Sequence, residues 1–126
     1  MPTLKSKMNA IHLLSAITLP AALLCITSTL PSLASPEIAS GDGVVNADIA
    51  ACLSRTDTFI STLYVDVEKG QIDRTGYFGD GSFRILCYPN PYGEPNQSLV
   101  VIFAAHDTDF AIANSFVQIA INQIAD

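Results

Sequence analysis

The sequence predicts an α+β domain: a two-layer sandwich in which a small, mostly antiparallel sheet of three or four strands carries N- and C-terminal helices on one face. Three observations predict it. Apolar residues recur at spacings of three and four in two separate segments, one near residue 50 and one ending the chain, which is the stripe of an amphipathic helix. Between them lie segments of strand length, the clearest being residues 82–88 and the continuous apolar run SLVVIFAA at 98–105. Cys52 falls on the first helical stripe and Cys87 in a strand, so a single crosslink would tie the two layers together.

Residues 1–34 stand apart from that domain. Lys5 and Lys7 precede a stretch from Ala10 to Leu30 that contains no Asp, Glu, Lys or Arg. Ser32 and Ala34 then place small residues three and one positions before a cut ahead of Ser35. A charged start, an apolar middle and a small-residue cleavage site are the parts of an export signal. Pro20 and the interspersed Ser and Thr residues weaken the stretch as a permanent span. The expectation is a cleaved signal that meets the membrane only in transit, with Cys25 leaving alongside it, and a protein destined for the periplasm or the exterior.

Charge narrows the partners. Without Lys5 and Lys7 the basic count falls from 6 to 4 against 12 acidic residues, a net charge of −8. Arg55, Lys69, Arg74 and Arg84 are too few to build the positive stripe that a phosphate backbone needs, so nucleic acid is excluded as a partner. The two remaining cysteines, Cys52 and Cys87, admit one pairing, and an even count in a small exported domain predicts a disulfide. Closing a loop of that length is worth about 4 kcal/mol on the chain-entropy account.

Along the chain, residues 35–43 (SPEIASGDG) are rich in Ser, Gly and Pro and read as a flexible leader, with a single domain over 44–126. Asn46 is the expected N-cap of the first helix, over 47–61, whose stripe is Ile49, Cys52, Leu53, Thr56, Ile60 and Leu63 and whose Arg55 and Asp57 face water. Alternation predicts a strand at 63–67, a further short one at 75–78, and a turn at Gly79-Asp80-Gly81. Three prolines, Pro89, Pro91 and Pro95, break regular structure between the last two strands. Asp107 or Thr108 is the expected cap of the last helix, with Asp109 in its first turn and Phe110, Ala113, Phe116, Val117, Ala120, Ile121 and Ile124 on its apolar face.

The crosslink fixes a parity. If Cys87 points to the helices, Phe83 and Ile85 go with it and Arg84, Leu86 and Tyr88 face away. Because 98–105 is apolar throughout, one of its two faces must join Leu86 and Tyr88 on the side without helices. That side is too apolar for bare water and predicts either an interaction surface, with Tyr92 between Pro91 and Pro95 as a pre-ordered recognition element, or a cover folded over it from the leader or the proline loop. The occupant expected is a protein or another surface, a homodimer through the open sheet face being one form of it.

Chemistry has one candidate cluster, His106 with Asp107 and Asp109, at a strand-to-helix junction where a general base or a metal ligand could sit. Both carboxylates already have a sufficient task in capping the helix, and a lone histidine is a poor start for a transition-metal site, so no metal or cofactor is expected. The reading is a non-catalytic binding module. Its alternative is a small hydrolase or metal-dependent enzyme centred on His106, Asp107 and Asp109.

Overall fold

The computed structural model describes residues 35–126; the segment read as an export signal, 1–34, lies outside the described residues. The order is β1 (Glu37–Val45), α1 (Ile49–Ser61), β2 (Asp66–Lys69), β3 (Asp73–Phe78), β4 (Gly81–Pro89), β5 (Ser98–His106) and α2 (Phe110–Ile124). The strands form one open sheet in the order β1-β5-β4-β3-β2, with every neighbouring pair antiparallel. The fold is α+β. β2 to β5 follow as a meander, while α1 carries the chain from the β1 edge to the β2 edge.

Among the described residues five strands replace the three or four expected, for two reasons. The region before Phe78 holds two strands, but the first is only Asp66–Lys69, because the chain leaves α1 through Tyr64 in the left-handed region at φ 53°. The larger difference is at the start. Residues 37–43, read as flexible leader, belong with Val44 and Val45 to a full edge strand paired to β5 over nine positions, so the first helix follows a strand and is not N-terminal in the domain. The glycines responsible for that reading have a packing task. A Cβ at Gly41 would lie 2.7 Å from Ile121 Cδ1 and 2.8 Å from Val117 Cγ1, and one at Gly43 would lie 2.6 Å from Ala125 Cβ. Glycine is what lets α2 rest on β1.

The helix-side layer is continuous. Phe83, Ile85 and Cys87 of β4 lie opposite Ala104, Ile102 and Val100 of β5, and these in turn lie opposite Ala39, Gly41 and Gly43 of β1. Against them pack Cys52, Thr56, Phe59 and Ile60 of α1 and Ala113, Val117, Ala120 and Ile124 of α2, all buried. Each large aliphatic residue removed from water in this way contributes about 1.5–3 kcal/mol. Cys52 and Cys87 are joined by a disulfide with their Cα atoms 6.0 Å apart, and neither is exposed. The rings of Phe83 and Phe116 stack at 4.7 Å between centroids, and a Cβ at Gly76 would collide with the Phe83 ring.

Polar side chains close the frame. Arg74 is buried and donates to both carboxylate oxygens of Asp57, at 2.7 and 3.2 Å, and to the carbonyls of Gly70 and Asp73 at 2.9 and 2.8 Å. Asp57, expected to face water, therefore pins α1 to β3. Arg55 likewise reaches the Ile124 carbonyl and the Asp126 carboxylate. The helix caps shift by a residue or two from those expected: Asp48 accepts from Ala51 N–H, and Asp109 accepts from Ala111 N–H. Asn46 instead accepts from the Gln97 side chain.

Candidate functional site

The face of the sheet away from the helices presents the other parity of every strand. β5 contributes Leu99, Val101 and Phe103, which lie opposite Tyr88, Leu86 and Arg84 of β4 and opposite Val44, Asp42 and Ser40 of β1. Leu99, Val101, Leu86 and Tyr88 are half-buried by one another. Ile38, Val44 and Phe103 stand out of this layer at 61%, 39% and 45% exposure, values that mark large apolar side chains with no covering element among the described residues. A shallow depression of about 330 Å³ runs between Ser40, Asp42, Tyr88, Leu99, Val101 and Phe103. Toward the β3 side the apolar surface ends in an ion pair, with Arg84 donating to Asp73 at 2.8 Å.

The proline loop does not lie over that face. Pro89, Pro95 and Gln97 instead border the start of α1 at Asp48, Ile49 and Ala50. The loop is ordered by its own bonds: Asn90 N–H donates to the Gln97 carbonyl at 3.2 Å, Gln97 N–H to the Glu94 carbonyl at 3.0 Å, and Tyr92 N–H to the Asn90 side chain at 3.1 Å. Pro91, Tyr92 and Pro95 are exposed, Tyr92 almost wholly so at 97%. The loop and the apolar face meet at one end of β4 and β5, where Tyr88 and Leu99 lie opposite each other next to Pro89 and Ser98. Leu86 and Tyr88 thus share one surface, while Pro91, Tyr92 and Pro95 form a separate projection at its end.

His106 sits elsewhere, buried on the helix side at the far end of β5. Its Nδ1 accepts two main-chain bonds, from Thr108 N–H at 3.1 Å and Asp109 N–H at 2.9 Å. A nitrogen that accepts carries no proton, so the ring in this arrangement is the neutral Nε2–H tautomer, and Nε2 donates to Asp80 Oδ2 at 3.1 Å. Neither nitrogen presents a free lone pair to a substrate. Asp107 and Asp109 are exposed and their carboxylates do not bond the ring; the Asp109 carboxylate caps α2, and Asp107 N–H donates to the Asp80 carbonyl at 2.9 Å. The carboxylate that meets His106 is Asp80, which sequence reasoning treated as a turn residue only. The signal was present in the strand register, since pairing β4 with β5 sets Gly81 opposite His106.

A small apolar pocket of about 190 Å³ lies beside this junction, lined by Phe78, Ala104, Ile112 and Phe116 as well as Asp80 and His106. Among the described residues no three His, Cys, Asp or Glu side chains are grouped to hold a metal ion, and no helix is long and apolar enough to cross a membrane. No protein-family model, curated protein or solved structure matches the chain. The site must therefore be read from its own geometry.

Proposed function

We propose that this protein is an exported, non-catalytic binding module that engages a protein partner through the open face of its sheet, with the loop of residues 89–96 at the border of the contact. The observation that carries the reading is the row Leu99, Val101 and Phe103, backed by Leu86 and Tyr88 and uncovered by any other described element. An apolar surface on a sheet that has one helical layer among the described residues has a reason to recruit a second layer from elsewhere. Tyr92, held by a loop already ordered through Asn90 and Gln97, adds a rigid aromatic contact at low entropic cost. Export is supported by the apolar, charge-free segment before residue 35 and by the Cys52–Cys87 disulfide.

The test is retention of envelope proteins of the host by the immobilised full chain, compared with the Phe103→Ser and Val101→Ser variants. The wild type should retain a defined protein that each variant binds about ten-fold more weakly, the scale of a truncated apolar anchor. Equal retention by all three, or a strict monomer that retains nothing, would remove this reading.

A further inference from the structure

The outer edge of β1 has a geometry of its own. Asp126 lies against it as a single rung of an added strand: its N–H donates to the Val44 carbonyl at 3.0 Å, and its carboxylate accepts Asn46 N–H at 2.7 Å. Main-chain groups in an antiparallel strand alternate in direction, with the N–H and C=O of one residue pointing the same way. Val44 points outward, so Ile38, Ser40 and Asp42 point outward as well, and Ala39, Gly41, Gly43 and Val45 face β5. Among the described residues no side chain or loop bonds the outward groups of Ile38, Ser40 or Asp42.

Edges are ordinarily blunted by shortness, by Lys or Pro, or by a bulge. The opposite edge of this sheet follows that rule, for β2 has four residues and three of them are charged, Asp66, Glu68 and Lys69. β1 does not. It has nine residues, an unbroken register with β5, and no Lys, Arg or Pro. Its only charges are Glu37 and Asp42. Neither has a cation beside it, because all four basic side chains among the described residues are held internally: Arg55 by Asp126, Lys69 and Arg74 by Asp57, and Arg84 by Asp73.

We propose that residues 37–43 of β1 accept an extended, basic segment of another polypeptide as a sixth strand. Ile38, Ser40 and Asp42 exchange main-chain hydrogen bonds with it, and a Lys or Arg of the incoming strand stands opposite Asp42. A second copy of β1 would bring the same two carboxylates and no cation, which disfavours self-pairing. The proposal rests on the reading of the open face as an interface and extends it to the adjoining edge, since a strand added here continues the row that holds Asp42, Val101 and Leu86.

The experiment uses the full chain labelled with ¹⁵N and two capped decapeptides, one alternating Thr and Lys and the other alternating Thr and Glu. The Thr-Lys peptide should shift the amide signals of Ile38, Ser40 and Asp42, slow their exchange with solvent, and bind about five-fold more tightly than the Thr-Glu peptide at low salt. Ser40→Pro, which deletes one outward N–H and leaves the ladder to β5 intact, should abolish binding; Asp42→Lys should reverse the preference between peptides. Equal binding of both peptides, or no shift at the three amides, would overturn the proposal. Shifts confined to Leu99, Val101 and Phe103 would overturn it while leaving the open-face reading in place. Concentration-dependent shifts of the three amides without peptide would overturn it in favour of self-pairing.

Discussion

Arg74 grips Asp57 with two parallel bonds, Nε to Oδ1 and Nη2 to Oδ2, and in doing so ties the middle of α1 to the third strand of the sheet. The guanidinium holds the Asp57 carboxyl below its ordinary value of 3.8, with partial burial working against the shift and Lys69 adding to it. The folded protein therefore binds fewer protons at Asp57 than the unfolded chain does. The stabilisation is fully present above about pH 4 and is lost as pH falls through the lower, folded value. Asp57→Asn should cost about 1–2 kcal/mol at neutral pH, the lower part of the range for charge-assisted bonds because Asp57 is one-third exposed. Urea unfolding at a series of pH values should show a shallower acid limb in the variant. An unchanged limb would place the acid sensitivity at another carboxylate, Asp126 being the next with a lowered value.

The bond between Cys52 and Cys87 joins the helical layer to the sheet and is expected to form only after export. Intact mass spectrometry of the exported protein should give a chain beginning at Ser35 and two hydrogens lighter after export than after reduction. Cys52→Ala should lower the melting temperature by at least about 15 °C, from a loss of about 4 kcal/mol in a domain of this size. A full-length mass with free thiols would overturn both the signal and the compartment.

Much of this architecture was legible in the sequence because period and parity are local properties. The stripe from Ile49 to Ile60 and the run at 98–105 announce a helix and a strand without reference to anything distant. Cys52 and Cys87 add the one long-range constraint that aims Phe83 and Ile85 at the helices, and Leu86 and Tyr88 away from them. What was not legible depends on contacts across the chain. Gly41 and Gly43 look like flexibility until Val117, Ile121 and Ala125 are seen to need their missing side chains. Asp57 looks like a solvent-facing helix residue until β3 delivers Arg74. The junction at His106 was legible as a cluster, but its carboxylate partner comes from the turn before β4 and was identifiable only through the strand register.

That junction supports a last prediction, which separates a structural histidine from a chemical one. His106 Nδ1 satisfies the N–H groups of Thr108 and Asp109 at the entry to α2, and Nε2 ties the same corner to the turn at Asp80. A histidine acting as a general base would need one nitrogen bare and facing a substrate. Side-chain ¹⁵N spectra should therefore report the Nε2–H tautomer, with Nδ1 unprotonated. His106→Ala should cost about 1–2 kcal/mol in urea unfolding through the loss of two main-chain hydrogen bonds to the ring, while partner retention through Phe103 stays unchanged. Asp107→Ala should leave stability within about 0.5 kcal/mol of wild type, because its exposed carboxylate makes no bond to the ring. An Nδ1–H tautomer, or a His106→Ala variant as stable as wild type, would show that the cap is not what holds the ring in place and would return the site to consideration for chemistry.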